Sequence, residues 1–238
     1  MINNKCHCEL LRELENNARE ETIWERDKLG GYIGTTKKQY FIKTPVRIKI
    51  IREWVKKHRD ITPNEFSELI DSLYTGESHE ELALAGKLLE NMPKLRKQLN
   101  PELLDKWLDR VEGWCEVDML CQPSFTAEEM LLNWKVWEKL IAKFSGDKNI
   151  HKRRASLVLL TMPVRHSHDN RLSDLAFANI NKLKGERHVL ITKAISWLLR
   201  NLIKNHREEV EKYLAENSGS LPAIAVRETA RKLATGKK

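Results

Sequence analysis

Apolar residues recur at spacings of three and four along almost the whole chain, in runs of three to four turns separated by short polar or proline-bearing breaks. Each run would bury one stripe of a helix, so the pattern commits the chain to packing helix on helix and gives strands little support. Three dipeptides mark helix starts. Thr44-Pro45, Thr62-Pro63 and Asn100-Pro101 each place a capping side chain before a proline whose fixed φ suits the first helical position. They open VRIKIIREWVKKH, a helix through Leu73, and ELLDKWLDRV. Periodicity predicts further helices near Cys8–Trp24, Glu80–Glu90, Trp114–Leu120, Ala127–Phe144, Asn149–Thr161, Leu172–Leu183, Val189–Lys204, Glu208–Glu216 and Ala223–Leu233. A loop, Gly30-Gly31-Tyr32-Ile33-Gly34, follows the first of these.

Short helices joined by short loops predict an all-α fold in which helix pairs of HEAT-like type stack into a curved α-solenoid, with residues 1–238 as one domain. No fixed-period signature accompanies the pattern, and a compact helical bundle is the alternative architecture. No apolar run approaches the roughly 20 residues that span a bilayer, and the opening MINNKCHCELLRELE is too polar for a signal peptide. A cytoplasmic protein without a membrane partner is expected.

The four cysteines, Cys6, Cys8, Cys115 and Cys121, are too few and too unevenly placed for a disulfide framework and read as reduced thiols. Neither Cys6-His7-Cys8 nor His166 with His168 has a second group to complete a ligand set, so no metal is expected. P-loop, dinucleotide, nucleophile-elbow and zinc-deaminase signatures are all missing, and no cofactor is expected.

The net charge of +8 is unevenly spread. From Asp147 onward there are 19 Lys and Arg against 9 Asp and Glu, whereas the preceding residues hold 23 against 25. Solvated helix faces explain a net charge, but less easily its confinement to one end, and a basic end suits a polyanion. In ITKAISWLLRNLIK, Ile191, Ile195, Leu198 and Leu202 form an apolar stripe, while Lys193, Trp197, Arg200 and Lys204 fall four, three and four apart. Cations can meet phosphates there while the indole meets a sugar or base; a tryptophan packed on the next helix amid snorkelling lysines is the plainer reading.

In GWCEVDML, Trp114 and Asp118 lie one helical turn apart on one face, either as a shared site or as an exposed acid beside a core tryptophan. Arg154 follows Ile150 by four and precedes Leu157 and Val158 by three and four, which directs it to the buried side of its helix. A guanidinium there needs an anionic partner, carboxylate or phosphate. Trp134 and Trp137 read as core or inter-helix residues.

Several of these segments occur in the order found in one known family. YIGTTKKQYFIKTPVRIKI, GWCEVD, HKRRASLVLL and KAISWLLRNLIK together make the chain resemble the AlkD-type DNA alkylation-repair glycosylases, which are built of HEAT-like repeats. The resemblance implies Asp118 as the catalytic carboxylate, Trp114 and Trp197 as the aromatic residues beside the target nucleotide, and Arg154 as a backbone-contacting arginine. It puts Tyr32 near the DNA, and puts Lys43 where the family pattern has glutamine, a departure that adds a cation. The implied partner is double-stranded DNA containing alkylated purines, bound by a monomer without flipping the base.

The chemistry agrees with a single acid. A purine alkylated at N3 or N7 is already cationic and leaves as a neutral base, so no general acid is needed. What remains is positive charge developing on deoxyribose, which a carboxylate and electron-rich indole faces can stabilise. The pair of carboxylates used on neutral glycosides would be superfluous. Two other readings are a catalytically silent DNA-structure-binding relative and a protein-binding helical scaffold.

Overall fold

The computed structural model describes residues 4–22 and 32–237, and every regular element among them is an α-helix. Trp24, Gly30 and Gly31, placed above in the first helix and its loop, lie outside the described residues. The contacts divide the chain into two compact units, Met1–Ser124 and Phe125–Lys238.

The first unit holds α1 (Lys5–Asn16), α2 (Thr44–Lys57), α3 (Pro63–Tyr74), α4 (His79–Asn91), α5 (Pro93–Arg96), α6 (Leu103–Leu108) and α7 (Trp114–Cys121). Its centre is α4, which packs against α1, α2, α3, α5 and α7. The sequence HEELALAGKLLEN explains that position: Leu82, Leu84, Leu88 and Leu89 point around the helix with small residues between them, and all are 0–1% exposed. A helix apolar on every side belongs in the middle of a bundle. Gly86 lets α7 come close, because a Cβ there would sit 2.7 Å from the Met119 carbonyl oxygen.

In this unit two helix starts are built as capping boxes by a Ser or Thr side chain. Thr62 and Ser78 accept from the backbone N–H of Glu65 and Glu81, whose carboxylates reach back to the capping residues. Thr62 is the predicted cap; Thr44 is not. Lys43 occupies the cap position of α2 without a side-chain bond, and Thr44 and Pro45 already lie in the first turn. The cause is tertiary: the buried Glu80 carboxylate accepts the N–H groups of Tyr40 at 3.0 Å and Ile42 at 3.3 Å, fixing the approach to the helix. Between those anchors Phe41 is held at φ 54, a conformation unfavourable for a bulky residue without such support. At the third start, Asn100 Oδ1 accepts from Glu102 N–H at 3.0 Å, and the regular helix begins only at Leu103.

The second unit holds α8 (Ala127–Leu132), α9 (Trp134–Phe144), α10 (Ile150–His166), α11 (Asn170–Leu183), α12 (Val189–Leu202), α13 (Arg207–Asn217) and α14 (Ala223–Thr235). The single helix predicted over Ala127–Phe144 is two, broken at Asn133, whose φ of −116 and ψ of 42 leave the helical region. Alternate helices form layers: α8, α10, α12 and α14 pack one on the next, as do α9 and α11, and sequence neighbours from α8 to α14 pack as pairs. Stacked pairs of this kind are consistent with an α-solenoid. Trp137 is buried against Phe125, and the half-buried Trp134 meets Arg171 of α11 at 5.6 Å, the core and inter-helix roles read from the sequence.

Helix α10 overruns its predicted end at Thr161 and carries Pro163 inside it. Carbonyls at its C-terminal end find partners on the turn after α12. Asn205 Nδ2 donates to the Val164 and Ser167 carbonyls at 3.3 and 3.2 Å, and His206 Nε2 lies 3.0 Å from the latter. No helix among the described residues is long and apolar enough to cross a membrane.

Replacing a helical glycine with alanine ordinarily stabilises by up to about 1 kcal/mol. At Gly86 the close carbonyl reverses the sign, and Gly86→Ala is expected to lower stability by about 1–2 kcal/mol. Urea denaturation checks this; an unchanged or higher midpoint contradicts the close packing of α4 on α7.

Candidate functional site

Glu116 anchors the helix that carries the predicted site. Only 2% exposed, its carboxylate accepts the backbone N–H of Glu112 at 2.8 Å and of Gly113 at 3.4 Å, closing the first turn of α7. From α4, His79 Nδ1 reaches it at 3.1 Å. Burial pushes the Glu116 carboxyl up, but hydrogen bonds from His79, Glu112 N–H and Thr35 outweigh that and hold it below the usual carboxylate range. Burial likewise pulls His79 down, yet bonds to Cys115 and Glu116 overcome it and push the ring up to about 9. A buried imidazolium–carboxylate pair therefore joins α4 to α7 at neutral pH.

The segment before α2 is tied to the same place. Glu112 accepts Thr36 N–H and its hydroxyl, each at 2.8 Å, and the Thr35 hydroxyl at 3.3 Å. Gly113 has no room for a side chain, since a Cβ would lie 2.1 Å from the Ile33 carbonyl oxygen. Across this junction Trp114 Nε1 donates to the Tyr32 carbonyl at 2.5 Å, and the two rings meet edge to face, 5.3 Å apart at 81°. Tyr32 remains 64% exposed.

Trp114 and Asp118 are both half-buried residues of α7, one turn apart, as their spacing predicts. Tyr32, Trp114 and Asp118 thus belong to one corner of the first unit. Lys43 is exposed at the start of α2.

The remaining predicted residues belong to the second unit. Arg154 is buried as the periodicity requires, and its Nη1 donates to the Leu190 carbonyl at 2.7 Å, linking α10 to α12. On α12, Lys193 is exposed and Trp197 half-buried, with Lys204 exposed just past the helix. Arg200 breaks the expected row of surface cations. It is 9% exposed, donates from Nε to the Ser196 carbonyl at 3.1 Å and pairs with Glu228 of α14 at 3.3 Å. The physical reason is the partner helix: α14 covers that flank of α12 and supplies the carboxylate.

Sequence reasoning did not find His79, Glu80, Glu112 or Glu116. A signal existed for one of them, because Glu116 stands three residues after Gly113, the position from which a glutamate closes a helix start. Pairing across 37 residues, as for His79 with Glu116, leaves no local trace. The His7 ring is engaged by Ser72 and Glu81, each at 2.7 Å. Among the described residues no group of three or more His, Cys, Asp and Glu could hold a metal ion.

Because His79 is raised from about 6.5 to about 9, its pairing stabilises the fold fully below pH 6.5 and is lost as pH rises through 9. The contribution is at most about 3 kcal/mol. Urea midpoints measured from pH 6 to 10 should therefore fall more steeply for the wild type than for His79→Gln. Parallel curves would remove the pair from the account.

Comparison with known proteins bears on the whole chain. A solved structure described as "Predicted DNA alkylation repair enzyme from Enterococcus faecalis" superposes with a TM-score of 0.71 at 20% identity, covering 92% of this chain and 99% of the other, a likeness of fold. No curated protein matches the sequence. The sequence profile of the family described as DNA alkylation repair enzyme matches residues 10–233. On that match, the chain belongs to the DNA alkylation repair enzyme family.

Proposed function

We propose that the protein is a monofunctional DNA glycosylase that hydrolyses the N-glycosidic bond of cationic N3- or N7-alkylated purines in duplex DNA, leaving an abasic site. The observation that carries this reading is the corner of Tyr32, Trp114 and Asp118, where an anchored helix carries the carboxylate and one aromatic ring and Tyr32 brings a second ring against it. A single acid matches a leaving group that is already cationic. Asp118 stabilises positive charge on the sugar and orients the attacking water, and Trp114 offers its π face to the same charge.

By family likeness Trp197 is the second aromatic residue beside the nucleotide, and Arg154 contacts the DNA backbone. We assign the exposed Lys43, Lys193 and Lys204 to contacts with phosphates; Arg200, paired with Glu228, acts through the packing of α12. In this reading residues 1–238 work as one HEAT-like-repeat domain, a monomer acting on chromosomal DNA in the cytoplasm. It traps the lesion through backbone and sugar without base flipping and uses no cofactor.

Release of methylated purines from alkylated duplex DNA tests the activity directly. Wild type should release base, and Asp118→Asn should lose most of that rate, by about a hundredfold or more if its electrostatic role is large. Equal background release by both proteins ends the enzymatic reading. A silent DNA-structure-binding protein would instead bind junctions tightly and release nothing.

Lys193→Ala and Lys204→Ala should each weaken DNA binding and reduce the slope of log K against log salt by about one unit. A slope unchanged in both variants removes these lysines from the interface.

A further inference from the structure

The segment that leads from Tyr32 to α2 is fastened near its start by one carboxylate. Oε2 of Glu112 accepts Thr36 N–H and its hydroxyl, each at 2.8 Å, and the Thr35 hydroxyl at 3.3 Å, while Oε1 lies 3.8 Å from Lys37 Nζ. Burial pushes the Glu112 carboxyl up, but the bonds from Thr36, with Lys37 and Thr35, outweigh it and hold the group below the usual carboxylate range. Glu112 is also tied through its backbone, whose N–H donates to Glu116 at 2.8 Å. It therefore links the anchored start of α7 to the Thr35–Thr36 backbone.

Three residues before Thr35 the chain meets α7 again, at Trp114. The Tyr32 carbonyl accepts the indole N–H, and the tyrosine ring stands edge to face with the indole at 5.3 Å. Tyr32 is 64% exposed and Trp114 half-buried, so core packing holds little of either ring. Between these fastenings the backbone crosses Gly113 at close range, where a Cβ would lie 2.1 Å from the Ile33 carbonyl oxygen. With no side chain on Gly113 to key the crossing, its register is left to the polar bonds on either side.

We propose that Glu112 is a positioning residue for Trp114: by fastening the Thr35–Thr36 backbone it keeps the Tyr32 carbonyl and ring on the indole, and so fixes the orientation of that indole one turn from Asp118. Glu112 touches no reacting atom itself. An indole that donates its N–H to a carbonyl is held in one orientation and carries more electron density in its ring, which strengthens the attraction of its face for positive charge. Without Glu112 the backbone of residues 32–36 can lift from α7, and the indole loses both constraints. The orientation stands on these hydrogen bonds alone, while its consequence for base release rests on the glycosylase reading.

Hydrogen exchange at the indole N–H groups, followed by two-dimensional NMR, reads the orientation independently of activity. Each of the seven tryptophans contributes one indole resonance, and that of Trp114 is the one missing from Trp114→Phe. In Glu112→Ala, exchange at Trp114 should quicken about tenfold or more while the other indoles stay unchanged. Glu112→Gln, which keeps an acceptor oxygen for Thr36, should restore most of the protection. Equal exchange at Trp114 in the wild type and Glu112→Ala overturns the proposal. If Glu112→Ala quickens every indole alike, Thr36→Val decides, since it takes a single donor from the carboxylate: faster exchange at Trp114 alone supports the positioning role, and unchanged exchange overturns it.

In single-turnover release of base from methylated duplex, Glu112→Ala should be about tenfold slower, while its affinity for undamaged duplex stays within about twofold. A merely structural loss would weaken both. Selective exchange at Trp114 with undiminished release overturns the catalytic consequence. Wild-type protein that releases no base marks the failure of the glycosylase reading instead, and leaves the exchange comparison valid.

Discussion

The buried pair of His79 and Glu116 holds the first unit in the arrangement on which its other features depend. Two ionised groups taken from water carry a large desolvation cost, and removing one partner typically costs about 3–5 kcal/mol because the other is left charged and buried. Here that cost is offset by complete pairing: Glu116 also receives the backbone N–H groups of Glu112 and Gly113. The pair ties the start of α7 to α4. With it, α7 is oriented from its first turn.

The neighbouring residues of α4 repeat the device toward other segments. Glu80 holds Tyr40 and Ile42, which sets the approach to α2; Glu81 receives His7 from α1 and the backbone and hydroxyl of Ser78. Three consecutive buried polar side chains at one helix start therefore fasten three separate pieces of chain. Each group is satisfied by partners far away in sequence, so the corner is rigid and specific. The apolar faces of α4 supply the burial, and these bonds supply the register.

In the second unit polarity is used differently. Layers of alternating helices bury two arginines, Arg154 and Arg200, and each is engaged across a helix boundary: one with the Leu190 carbonyl, the other with Glu228. Lys193 and Lys204 stay in solvent. Packing and surface charge thus separate along one helix, and the basic excess of the C-terminal part divides into structural cations and free ones.

The sequence by itself determined the helical class, most helix positions, the spacing of Trp114 and Asp118, and the burial of Arg154, because each follows from a period of 3.6 or from a local capping rule. The resemblance carried by GWCEVD and KAISWLLRNLIK pointed to the family. Only tertiary structure decided that Arg200 turns to Glu228, that Lys43 and not Thr44 takes the cap position of α2, and that His79 joins Glu116. Those outcomes depend on which side chain another element brings within about 3 Å, a distance the linear spacing of residues does not encode. Periodicity assigns a residue to a face; the neighbouring helix decides whether that face meets water or a carboxylate.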